Sequence, residues 1–132
     1  MGTIKLINIE ELKERVIEFS KTLKPFKLTL ISVGTFMTNE NVIFLEPVMT
    51  EELIDIHRRF TEFMRDFDGE LNKYYDIDKW MPHATIAIRL QDEELIKGLK
   101  VLKSTIKLPI VVNVDRIDII NYPSNQIMMK SI

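Results

Sequence analysis

The chain has 132 residues, 45% apolar and 29% charged, with a formal net charge of −2, which is the make-up of one globular domain with its own core. Charges of both signs are interspersed, so nothing draws the chain as a whole to a DNA duplex or an anionic membrane. It contains no cysteine, which excludes disulfides, thiolate metal sites and cysteine nucleophiles.

In chain order, Thr3-Ile4-Lys5-Leu6-Ile7 reads as a short strand, and Asn8 as the cap of a helix with Glu11 in capping-box position. Ile9, Leu12, Val16, Phe19 and Leu23 form that helix's apolar stripe, which ends before Pro25. Phe26 to Ile31 alternates as a strand, Gly34 suggests a kink or bulge, and Thr38-Asn39-Glu40-Asn41 turns into a return strand from Val42 to Leu45. A second helix opens at Thr50 and buries Leu53, Ile56, Phe60, Phe63, Met64 and Phe67. The polar stretch from Asp68 to Lys79 reads as a surface loop. After the strand Met81–Leu90 a third helix starts near Asp92 and buries Leu95, Leu99 and Leu102. Pro109 precedes a long strand from Ile110 to Ile120, and a turn at 121–125 leads to a last strand, Gln126 to Lys130. No apolar run approaches the roughly 20 residues of a membrane span and no signal-peptide core is visible, so the cytoplasm is the expected compartment.

The stretch with chemistry in it is Met81 to Leu90. Read as a strand, it sends His83, Thr85, Ala87 and Arg89 to one side and Ala84, Ile86, Ile88 and Leu90 to the other. An imidazole, a hydroxyl and a guanidinium on one face, about 6–7 Å apart, are groups suited to a phosphodiester. Thr29, with Lys27, shares a strand face that could line the same cleft. Tyr122 and Trp80 are candidates to stack a base, and His57 reads as a packing histidine.

The order strand, helix, strand, turn, strand occurs twice, at about 1–49 and 82–132. Carried back by 82 positions, His83-Ala84-Thr85 falls on Met1-Gly2-Thr3, so Thr3 would be a second phosphate ligand and the matching histidine is absent.

Pro82-His83-Ala84-Thr85-Ile86-Ala87 resembles the second His-x-Thr motif of the two-histidine phosphoesterases, in particular their bacterial branch of 2',5' RNA ligases and RNA cyclic phosphodiesterases. Phe26 to Leu30 with Gly34 and Phe36, then Val42 to Leu45, is similar to the strand pair between that family's two motifs. Leu53 with His57 is similar to the helix after it, and Arg116 to Tyr122 to the closing strand. The family's opening strand and helix, with the first His-x-Thr, have no counterpart, so 1–132 reads as a single, N-terminally incomplete domain of this kind. The resemblance implies an α+β fold of two pseudo-repeated lobes, with antiparallel sheets lining a cleft and helices packed outside. It implies metal-free, cofactor-free chemistry on 2',3'-cyclic or 2',5'-linked ribonucleotides, with His83 as one of the acid/base pair and Thr85 binding phosphate. Thr3, Thr29, Arg89 and Tyr122 complete the expected substrate contacts. The partner would be a small nucleotide or an RNA terminus, and the chain a monomer, or a homodimer in which a second His83 completes the site. The alternative function is a module that binds a nucleotide or RNA end without turning it over.

Overall fold

The computed structural model describes residues 9–65, 78–121 and 126–130. The fold is α+β: among the described residues it holds α1 (Ile9–Ser20), β1 (Phe26–Phe36), β2 (Val42–Pro47), α2 (Glu51–Phe63), β3 (Ala84–Ala87), α3 (Asp92–Thr105), β4 (Ile110–Val114), β5 (Asp118–Asn121) and β6 (Gln126–Lys130). One sheet has the strand order β3-β2-β1-β4 and a second pairs β5 with β6. The chain divides into two compact units, Met1–Phe26 with Met49–Met81 and Asn113–Ile132, and Lys27–Val48 with Pro82–Val112. The expected strand at 3–7, the cap at Asn8 and nearly all of the polar stretch before Lys79 lie outside the described residues. No helix described is long and apolar enough to cross a membrane.

In the first unit α1 and α2 meet through their apolar stripes. Val16 and Phe19 are buried on α1, and the Phe19 ring lies edge-on to Phe60 at 5.2 Å and 5.5 Å from Phe63 of α2. Aromatic pairs of this geometry add to what burial alone supplies. The Thr50 hydroxyl accepts the Leu53 N–H at 3.2 Å, which caps α2, and Glu51 and Glu52 complement the helix dipole. Arg59 reaches back to the end of α1, where its guanidinium donates to Thr22 Oγ1 at 2.9 Å.

In the second unit β1 and β2 form an antiparallel hairpin. Asn41 takes a left-handed backbone (φ 38) at its turn, which asparagine tolerates better than most residues. The Asn41 side-chain amide donates to the Leu90 carbonyl at 3.0 Å and to Asp92 Oδ1 at 2.9 Å, which ties the hairpin turn to the start of α3. The Glu94 carboxylate accepts the Gln91 N–H at 2.8 Å and closes the first turn of that helix. Gly98 lets α3 lie close against the buried Ile43 of β2, since a Cβ there would stand 2.8 Å from Ile43 Cδ1.

Two features differ from the sequence reading. Gly34 makes no bulge in β1; the strand and its register continue through it, and the register shift falls between Leu30 and Ser32. The expected long strand from Ile110 to Ile120 is two strands, because the chain leaves the four-stranded sheet after Val114 and pairs with β6 from Asp118. Arg116 pairs with Asp118 at 3.3 Å across the step between them.

Candidate active site

The described candidate residues, Thr29, His83, Thr85 and Arg89, belong to the second unit. The register sets Gly34 opposite Phe44, Ser32 opposite Glu46 and Phe36 opposite Val42, and on the other side sets Phe44 opposite Thr85. Opposed residues share a face, and so do alternate residues along a strand. Ser32, Gly34, Phe36, Phe44, Glu46 and Thr85 therefore look the same way, with His83 two residues before Thr85. The other face carries Ile43 and Leu45, both buried, on the side where α3 packs.

His83 and Thr85 are exposed, as a group that must reach a ligand should be. The imidazole is nonetheless held in place. Its ring lies 4.9 Å from Phe36, nearly perpendicular at 86°, and 5.4 Å from Phe44. Those two rings are themselves 4.4 Å apart. Phe44 is 3% exposed, and its ring extends over Gly34, where any Cβ would collide with the ring edge. The missing side chain at position 34 is thus what lets Phe44 lie flat along the sheet beside the histidine.

Thr29 belongs to this face as well. The register shift between Leu30 and Ser32 brings it round to the Glu46 side, half-buried, with its carbonyl accepting the Val48 N–H at 2.8 Å. Arg89 is placed differently from the simple alternation. β3 ends at Ala87, and a second register shift leaves Ile86 as an extra residue, so that Ala87 stands opposite Ile43. Arg89 lies beyond the strand with a left-handed backbone (φ 62), 3.9 Å from the Glu40 carboxylate. The same extra residue leaves Ile86 and Ile88 exposed rather than sealed under a helix. Thr3 and Tyr122 lie outside the described residues. Trp80 stacks face to face on His57, with ring centroids 3.8 Å apart and planes 5° from parallel, so the packing histidine has an aromatic partner.

One contact on the His83 face was not anticipated. The Ser32 hydroxyl donates to Glu46 Oε2 at 2.6 Å. Both residues are ordinary polar positions in the sequence, and only the register across β1 and β2 brings them together on the face that carries Phe44. Among the described residues no three His, Asp or Glu side chains gather as a metal site would require. A cavity of about 210 Å³ opens in the other unit, lined by residues that include Leu23, Phe26, Val114 and Arg116, and by none of the expected site residues.

The domain is α+β, with Thr85 in β3 and His83 immediately before that strand. Residues 3–126 match the 2'-5' RNA ligase superfamily, and the chain belongs to that family. It is also 33% identical over 86 residues to a Bacillus licheniformis protein named as a phosphoesterase, a match that takes in 65% of this chain and 47% of that protein. The chain thus spans about half the length of the curated relative it matches.

Proposed function

We propose that the chain acts on ribonucleotide phosphodiesters, either 2',3'-cyclic or 2',5'-linked, by proton transfer through His83 without a metal. The observation that carries this reading is the placement of His83 and Thr85. Both are exposed, Thr85 in β3 and His83 just before it, with the imidazole against the rings of Phe36 and Phe44. An imidazole can give or take a proton near neutral pH, and the Thr85 hydroxyl can donate to a phosphate oxygen beside it. Thr29 lines the same face. The family's name points to RNA, so the ligand is a nucleotide or an RNA end.

The test is hydrolysis of 2',3'-cyclic nucleotides in the presence of a chelator. The unaltered chain should turn the substrate over, and His83→Ala should slow it by roughly 10²–10⁴-fold, the usual worth of a positioned acid or base. Thr85→Val should weaken turnover, with Thr85→Ser restoring it. Loss of all activity on chelation, or full activity in His83→Ala, would overturn the reading. Binding of the nucleotide with no turnover would make the chain a binding module instead.

A further inference from the structure

We infer that the cavity of the first unit is a second binding site, which takes one nucleotide by its base and its phosphate. The cavity measures about 210 Å³, and every described residue that lines it belongs to that unit. It opens between two connections. One runs from α1 to β1 and ends at Pro25; the other is the step 115–117, where the chain leaves β4 before entering β5. Neither connection belongs to a strand, and side chains from both line the space.

The lining is of two kinds. Leu23, Pro25, Phe26, Val114 and Ile117 make most of it apolar, and Phe26 supplies a ring on which a base can stack. An apolar cavity of about 150 Å³ holds benzene, so the space here suits a single nucleobase. The charges come from Lys24, Arg116 and Asp115, all exposed. Lys24 makes no ion pair among the described residues. The Arg116 guanidinium meets Asp118 Oδ2 through Nε at 3.3 Å. A guanidinium has five N–H donors, so others are left for a ligand. Two cations beside an apolar wall match a phosphate joined to a planar ring. Asp115 lowers the net positive charge, which favours a nucleotide with one phosphate over a triphosphate.

The end of α1 presents few free carbonyls to an anion. That of Ile17 accepts from the Lys21 N–H and the Ser20 hydroxyl, and that of Phe19 from the Thr22 N–H and hydroxyl. Ser20 lines the cavity with its hydroxyl already committed to that turn, which leaves Lys24 and Arg116 as the phosphate donors. The site takes no part in the reaction proposed for His83, and its occupancy is read without turnover. Its ligand is a free mononucleotide or one unit of an RNA strand, since both bring the same base and phosphate.

The test is titration of the unaltered chain with adenosine 5'-monophosphate, adenosine, inorganic phosphate and a short single-stranded oligoadenylate, followed by amide NMR shifts. The monophosphate should move the amides of Leu23, Phe26, Val114 and Ile117 together. Adenosine alone and phosphate alone should each bind there at least about tenfold more weakly. Lys24→Gln and Arg116→Gln alter exposed side chains and leave the fold intact; each should weaken binding of the monophosphate by about tenfold or more, the worth of one charge-assisted bond. Val114→Phe, which fills the cavity, should abolish the response. Tighter binding of the oligoadenylate than of the monophosphate would identify an RNA strand as the ligand, and the reverse order a free mononucleotide. No shift at these amides, or shifts confined to the neighbours of His83 and Thr85, would overturn the inference. So would unchanged affinity in Lys24→Gln and Arg116→Gln, or phosphate binding as tightly as the nucleotide, which would mark an anion site only.

Discussion

The ring of Phe44 lies across the backbone of Gly34, filling the place where any other residue would carry its Cβ. That relationship links the core of the second unit to its chemistry. Phe44 is buried, yet its ring also lies against the exposed His83, so a glycine on β1 bears on the imidazole just before β3 through a phenyl ring on the strand between them. The histidine stands in the segment leading into β3, with the rings of Phe36 and Phe44 against it.

Gly34→Ala puts a methyl group into the Phe44 ring. Ring and backbone must both give way, and overpacking of this sort costs about 1–3 kcal/mol. Denaturant unfolding should show that loss. The His83 ring resonances should move at the same time, because the Phe44 ring that shifts them is displaced. The chain has only 2 histidines, so a His57→Gln background assigns the signal. Unchanged His83 resonances in a destabilised Gly34→Ala chain would show that Phe44 does not brace the imidazole.

The parts of this fold that were legible in the sequence are those set by local spacing. Val16 and Phe19 on α1, Leu53 on α2 and Leu95 on α3 are buried as the helical stripes require. The hairpin turn at Thr38–Asn41 follows from turn chemistry, and the spacing of two positions between His83 and Thr85 is what puts two such residues on one side of an extended chain. What could not be read depends on the partner strand. Ile86 becomes an extra residue only because of how β3 registers on β2, and this takes Arg89 out of the alternation. Ser32 and Glu46 are 14 positions apart, and a register shift on β1 precedes their pairing. Gly34 signalled a close approach, but a ring from the facing strand can be identified only once the strands are paired.

Asn41 does two things that separate by substitution. Its amide makes two hydrogen bonds, to Leu90 and Asp92, and its backbone is left-handed. Asn41→Gly removes the bonds but suits the backbone, whereas Asn41→Ala removes the bonds and adds strain of about 1–2 kcal/mol. Each net hydrogen bond is worth about 0.5–1.5 kcal/mol. Alanine should therefore be the more destabilising change in urea unfolding, by roughly the strain term. Equal losses would mean that the turn relaxes freely.

Gly98 sets helix propensity against packing. Alanine in a helix interior is favoured over glycine by about 0.8–1.0 kcal/mol, but at this position its Cβ meets Ile43 Cδ1, at the end of a buried side chain. Gly98→Ala alone should give a small net change. Ile43→Val removes the obstructing methyl at a cost of about 0.5–1.5 kcal/mol. On that background Gly98→Ala should stabilise by most of the propensity gain. A double-mutant cycle with no coupling would show that α3 is free to move away from β2.

The stack of His57 on Trp80 can be followed optically, because Trp80 is the chain's 1 tryptophan. With imidazole and indole planes 5° from parallel and centroids 3.8 Å apart, His57 shields one face of the indole from water. His57→Ala should uncover that face, shifting emission to the red and raising quenching by acrylamide. His57→Phe replaces one flat ring by another and should keep both readings near those of the unaltered chain. Aromatic pairs contribute about 0.5–1.5 kcal/mol beyond burial, so the alanine variant should also unfold at lower denaturant, with phenylalanine recovering most of the difference. Trp80 lies three residues before His83, and the two variants test whether the stack matters to the site. If it holds the chain entering β3, His57→Ala should lower turnover of the cyclic nucleotide and His57→Phe should not. If both variants match the unaltered turnover while only alanine shifts the emission, the stack stabilises α2 and its neighbour without reaching the catalytic face.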